Sequence, residues 1–178
     1  MPSQPGKIIR VLFVCTGNIC RSPMAEAVFC DMVMRAGLAG RIVADSAGTG
    51  GWHAGEQPHH GTRQVLRERG IDYTHAARQV VGDDFVRFDY VIALDNGHMF
   101  ELRARAERAS AQLARLLDFA PHLPTRDVPD PYYDGRFAEV YTLVEQGCQG
   151  LLAHIIAEKR LNVDRDLLPP YQSDLRTK

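Results

Sequence analysis

The sequence predicts an α/β fold, a three-layer sandwich with a parallel sheet between two layers of helices. Short apolar runs alternate with longer stretches of helical period, the pattern of strand–helix–strand units. The run "FDYVIALD" is apolar on both faces, as a strand covered from both sides is. The chain has 178 residues, 45% hydrophobic and 24% charged, which suits one domain with its own core. Right-handed crossovers then leave only a few doubly wound strand orders.

The elements follow in order. "IIRVLFV", residues 8–14, is the first strand. A helix follows from Ser22, with Ala25, Val28, Phe29, Met32, Val33 and Ala36 on one face. Ser22 suits its N-cap, Pro23 its first position and Gly37 its stop. "RIVADSAG", 41–48, is the second strand, and "PHHGTRQVLRERG" a helix with Val65 and Leu66 inward and Gly70 as its stop. "FDYVIALD", 88–95, is the third strand, and Asp95 and Asn96 cap the helix after it. "LARLLDF", 113–119, holds a short fourth strand. The last helix is the longest. Its apolar face carries Phe137, Val140, Tyr141, Val144, Cys148, Leu151, Leu152, Ile155 and Ile156. One domain over 1–160 is expected, with 161–178 as a loosely packed extension broken at Pro169-Pro170.

Bulk properties exclude several classes. The formal net charge is −1, so no general affinity for nucleic acid or anionic lipid is expected. No apolar run approaches the length of a membrane span. "MPSQPGK" has no apolar core of a secretory leader. Cys15, Cys20, Cys30 and Cys148 are too few for a disulfide scaffold and form no C-x-x-C pair. A reducing, cytoplasmic setting follows.

The chemistry concentrates in "VCTGNICRSP", residues 14–23. A turn beyond the carboxyl end of a strand is where open α/β sheets bind ligands. Its N–H groups and the following helix N-terminus form an anion site. Gly17 and Asn18 tolerate positive φ, which such a turn needs. Arg21 supplies a planar fork for two phosphate oxygens. An unperturbed cysteine is only about 3% thiolate at pH 7, and the same N–H groups, helix end and cation favour the ionised form. Cys15 is therefore expected to be an ionised nucleophile on the floor of a phosphate cradle, with Ser22 donating a hydrogen bond to it. A bare Cys-x5-Arg is more often a buried thiol and a surface charge. The strand before it, the Gly-Asn turn and the capped helix after it reverse that reading. A nucleotide P-loop is excluded because G-x-x-x-x-G-K-[ST] is absent, and no histidine pair completes a zinc site.

"VCTGNICRSPMAEAVF", "DSAGTGGW", "HAARQV" and "DPYYDG" together resemble the low-molecular-weight protein tyrosine phosphatases, in order from Lys7 to Ala157. The resemblance implies a four-stranded sheet of flavodoxin-like order and hydrolysis of phosphotyrosine through a phosphocysteine intermediate, without metal or cofactor. Cys15 would attack phosphorus. Arg21 and the loop of Thr16, Gly17, Asn18, Ile19, Cys20 and Ser22 would hold the phosphoryl oxygens. Asp130, between Pro129 and Pro131, matches the general acid and base. Trp52, Tyr132 and Tyr133 match the walls of an aromatic cleft. Asn18, Ser46 and His75 match a supporting polar network. Cys20 matches a second cysteine able to form a reversible disulfide with Cys15 under peroxide.

Other assignments are plainer. Asp95 is a helix cap near the pocket, and Asp134 a turn residue or cap. Cys30 and Cys148 pack, and the histidines other than His75 lie on the surface. The implied partner is a phosphotyrosine protein, a tyrosine kinase among the candidates, with the enzyme a monomer. Thr16 departs from the larger apolar residue of many eukaryotic members. Ile19 matches tyrosine-specific members rather than the protein-arginine phosphatase branch, which has Thr there. A thioredoxin-linked arsenate reductase needs two further cysteines that 75–100 lack. A non-catalytic phosphate-binding module would need neither nucleophile nor acid.

Overall fold

The computed structural model describes residues 6–163. Four strands, β1 (Ile9–Cys15), β2 (Ile42–Gly48), β3 (Tyr90–Ala93) and β4 (Gln112–Arg115), form one sheet of order β2-β1-β3-β4. Every pairing is parallel. Five helices connect or follow them: α1 (Arg21–Arg35), α2 (His60–Glu68), α3 (Asp84–Arg87), α4 (Asn96–Arg105) and α5 (Phe137–Glu158).

Strand β1 is central, so its residues alternate between two buried faces. Val11, Phe13 and Cys15 join the core beneath α1, α2 and α5, where Phe13 meets Phe29 edge-on at 5.4 Å. Leu12 and Val14 face Phe85, Met99 and Leu102 of α3 and α4 on the other side. The expected face of α5 is buried, with Phe137 and Ile156 partly so. Leu161 still packs into the core. Of the expected extension, residues 164–178 lie outside the described residues.

The boundaries differ in instructive ways. β1 runs one residue further than predicted and ends on Cys15 itself. Helix α1 begins at Arg21 with Cys20 as its flanking residue, so Ser22 is not the N-cap and Pro23 is the third helical residue. Ser22 turns its hydroxyl inward instead. Gly37 does stop α1: at φ 71° it allows Leu38 N–H to reach Val33 C=O and its own N–H to reach Met34 C=O. The segment read as a fourth strand is divided, with β4 ending at Arg115 and a 3-10 turn over Leu116–Phe119. That turn lies under α5 so closely that a Cβ at Gly150 would fall 1.8 Å from the Phe119 carbonyl oxygen. Helix α3, a single turn, has too few residues to show a period and was not expected.

Candidate active site

The turn between β1 and α1 owes its shape to where its carbonyls go. Cys15 C=O accepts from Thr49 N–H, Thr16 C=O from Gly50 N–H, and Ile19 C=O from His59 N–H. Cys20 C=O accepts from Met24 N–H and the Thr62 hydroxyl. With these carbonyls held by neighbouring segments, the N–H groups of residues 17–20 have no partner among the described residues. Strand β2 comes close enough to hold the loop because Gly48 has no side chain: a Cβ there would lie 2.6 Å from the Thr16 carbonyl oxygen.

Asn18 is the one loop residue at positive φ, 57°. Gly17 is not in that region; its missing Cβ leaves room for the His53 ring, which a Cβ would meet at 2.8 Å. Four hydrogen bonds hold Asn18. Its amide donates to Ser22 Oγ at 2.9 Å and Ser46 Oγ at 3.0 Å. Its Oδ1 accepts from Arg78 N–H at 2.9 Å and His75 Nε2–H at 2.8 Å. The backbone donor at Arg78 fixes which amide atom is oxygen, and hence which His75 nitrogen carries the proton.

Behind this clamp lies Glu26, which the sequence reading passed over. Its Oε2 accepts from Ser46 and from Tyr73, each at 2.6 Å. Burial pushes its carboxyl up to about 7, against the pull of those two hydrogen bonds. Burial also pushes His75 down. Arg78 ties this network to the far helix layer through ion pairs with Asp45 and Asp84, each at 2.9 Å.

Cys15 Sγ lies 3.0 Å from Ser22 Oγ. Arg21, 5% exposed, is aimed by Asp95 Oδ2 at 2.8 Å and the Val128 carbonyl at 3.0 Å, both on its Nη1. Nη2 is 3.6 Å from Asp130 Oδ2. Asp95 both caps α4, accepting from His98 N–H, and holds Arg21. Burial would raise Asp95, but that N–H and the nearby charges outweigh it and keep the carboxyl low. Burial, with Cys15 and Asp130 nearby, pushes the Cys20 thiol up to about 12.

These groups share a cleft of about 230 Å³ lined by Cys15, Thr16, Gly17, Ile19, Cys20, Arg21, Trp52, His53, Asp130, Tyr132 and Tyr133. Tyr132 meets Tyr133 edge-on at 4.9 Å; Tyr133, 89% exposed, stands at the rim. A larger groove of about 980 Å³ lies beside it, past the 53–58 loop, lined by Tyr73 and His75 but by neither Cys15 nor Arg21.

The three catalytic candidates, the loop and the aromatic walls thus come together, with Ser46 and His75 behind them. Asp134 is a turn residue, accepting from Arg136 N–H. The assignment of the other histidines to the surface is wrong for His98. It is 3% exposed, with Nε2 2.8 Å from Thr16 Oγ1 and 3.4 Å from Arg21 Nη2. His59 accepts from Gly61 N–H at the start of α2 and stacks on Phe137. Cys148 is buried as expected, whereas Cys30 is exposed.

Known proteins share this fold. Residues 10–162 match the model of the low molecular weight phosphotyrosine protein phosphatase family. The chain is 51% identical over 156 residues to the low molecular weight protein-tyrosine-phosphatase YfkJ of Bacillus subtilis, covering 86% of this chain and 100% of that one. The YfkJ crystal structure superposes with a TM-score of 0.84 over 88% of this chain and 99% of that one. A Streptomyces coelicolor low molecular weight protein-tyrosine-phosphatase is 51% identical over 152 residues, 82% of this chain and 93% of its own. The crystal structure of an Entamoeba histolytica protein tyrosine phosphatase has a TM-score of 0.80 at 38% identity, over 86% of this chain and 99% of that one. The chain belongs to the low molecular weight phosphotyrosine protein phosphatase family.

Proposed function

We propose that this protein hydrolyses phosphotyrosine in proteins, and small aryl phosphates, in two steps through a phosphocysteine. One observation carries the reading: Cys15 sits under a loop whose N–H groups at 17–20 have no partner among the described residues, with Ser22 on its sulfur and Arg21 and Asp130 in the same cleft. The Cys15 thiolate attacks phosphorus while the bond to the aryl oxygen breaks, and Asp130 gives that oxygen its proton. Asp130 then takes a proton from water as the water oxygen attacks phosphorus. The S–P bond breaks, phosphate leaves, and the thiolate re-forms against the Ser22 hydroxyl. Arg21 has its Nη1 committed to Asp95 and Val128 and one Nη2 hydrogen turned to His98, so Nε and the other Nη2 hydrogen remain for the phosphoryl oxygens. They and the loop N–H groups stabilise the charge that develops there.

The aromatic walls favour a flat phenyl phosphate over phosphoserine, and Ile19 matches the tyrosine-specific members of the family rather than its protein-arginine phosphatase branch. Phosphotyrosine proteins are therefore the proposed partners, with the enzyme a monomer. Four free thiols support a reducing, cytoplasmic setting. The test is a panel of phosphotyrosyl, phosphoseryl and phosphoarginyl peptides of one sequence, with arsenate plus thioredoxin as a further arm. Release of phosphate at least tenfold faster from phosphotyrosine is expected. Faster turnover of phosphoarginine, or of arsenate alone, would overturn the assignment.

A further inference from the structure

His98 has no part in the chemistry above, yet it is buried against two residues that do. It stands in the first turn of α4, 82 residues from Thr16 in sequence. Its Nε2 touches both the Thr16 hydroxyl, at 2.8 Å, and Arg21 Nη2, at 3.4 Å. A guanidinium carries only donors, so Nε2 must turn its lone pair toward Arg21. The Thr16 hydroxyl then donates to the same lone pair, and the ring proton belongs on Nδ1. That nitrogen is buried without a well-formed hydrogen bond among the described residues. Its neighbour is Asp95 Oδ1 at 3.1 Å, on the carboxylate whose other oxygen holds Arg21. Asp95 and His98 thus grip Arg21 from two sides, and among the described residues His98 alone links it to the first residue after the nucleophile.

We propose that His98 is a positioning residue: through Nε2 it locks Thr16 and Arg21 together and so sets the affinity of the loop for phosphate. The proposal rests on the phosphatase reading for its kinetic consequences, but the phosphate site itself can be probed without turnover.

Three replacements separate the roles. His98→Gln carries its amide oxygen out to the Nε2 position, His98→Asn only to Nδ1, and His98→Leu keeps bulk alone. Inorganic phosphate is the probe, as competitive inhibitor of p-nitrophenyl phosphate hydrolysis and, by calorimetry, as ligand of each variant on a Cys15→Ser background. Loss of one such hydrogen bond between buried groups corresponds to roughly tenfold. Leu and Asn are expected to weaken phosphate binding and kcat/KM about tenfold, and Gln to restore both to within about threefold of wild type. On a Thr16→Val background the Leu step should shrink by at least about threefold, because part of its partner is gone. Equal values for all variants and wild type overturn the proposal. So do equal losses for Gln, Asn and Leu in step with melting temperature, or strict additivity with Thr16→Val. If the Leu variant fails to fold, the Gln–Asn comparison decides. A wild type that binds phosphate without turning over substrate counts against the phosphatase reading, and the calorimetric series still decides on His98.

Discussion

Replacing Asn18 by alanine should disable the loop more than it unfolds the protein. Asn18 holds φ 57°, a region that costs an ordinary L-residue about 1–2 kcal/mol and asparagine less. Its side chain makes four hydrogen bonds. On truncation Ser46 keeps Glu26, and Ser22 keeps Cys15 and the Ala47 carbonyl. The Arg78 N–H and the His75 Nε2–H lose their acceptor, though His75 retains the weak 3.4 Å contact with Ser46. Two stranded donors at about 1–2 kcal/mol each, with about 1 kcal/mol of backbone cost, come to about 3–5 kcal/mol. The loop relieves that cost by opening, so kcat/KM for p-nitrophenyl phosphate should fall about 100-fold or more. Asn18→Gly removes the backbone cost but leaves the donors stranded, and should recover only about fivefold of the loss. Urea unfolding run alongside separates loop from fold. If Asn18→Gly works within threefold of wild type, the side-chain network is not what holds the loop, and the reasoning fails.

Glu26 makes stability depend on pH. Its folded carboxyl titrates at about 7 against an ordinary value of 4.5. The folded state therefore holds its proton longer than the unfolded chain. Its contribution is full below about pH 4.5 and is lost as pH rises through about 7, about 3 kcal/mol in all. Glu26→Gln should flatten that fall in urea titrations between pH 5 and 8; an unchanged slope would contradict it. Gly150→Ala gains up to about 1 kcal/mol of helix propensity but drives a Cβ to 1.8 Å from the Phe119 carbonyl oxygen. The backbone there cannot yield cheaply, so a net loss of about 2 kcal/mol and about 5 °C in Tm is expected; a Tm at or above wild type would refute that packing. Cys20, buried and with its thiol pushed up to about 12, should escape iodoacetate at pH 7 while Cys15 is alkylated in a phosphate-sensitive way. Mass spectrometry of the labelled peptides that finds Cys20 modified first would reverse that order.

What could be read from the chain was what lies close together in it. Strand, turn and helix over residues 8–37 form a continuous stretch with its own punctuation, and Cys15, Asn18, Arg21 and Ser22 all fall within it. Asp130, Trp52 and the tyrosines are far from it in sequence; the family resemblance, not periodicity, brought them in. Glu26 had a local signal that was missed: it is one helical turn from Ser22, beside the buried stripe of α1, where a charge needs partners. His98 had none. It is one polar residue among several after β3, and only the parallel pairing of β3 with β1 sets α4 against the loop. The helix start slipped by two residues for a related reason. Ser22 has the chemistry of a cap, but its hydroxyl serves the Cys15 sulfur instead.

The central claim is that the Cys15 sulfur itself carries the phosphoryl group between the two steps. Rapid-mixing hydrolysis of p-nitrophenyl phosphate in EDTA tests it most directly, with wild type beside Cys15→Ser and Asp130→Ala. The account predicts a burst of nitrophenolate close to one equivalent per enzyme when the second step is slower, absent in Cys15→Ser, with overall turnover slowed about 100-fold or more in Asp130→Ala. Turnover by Cys15→Ser at the wild-type rate would contradict it, because the phosphoryl group would then reach water without passing through Cys15.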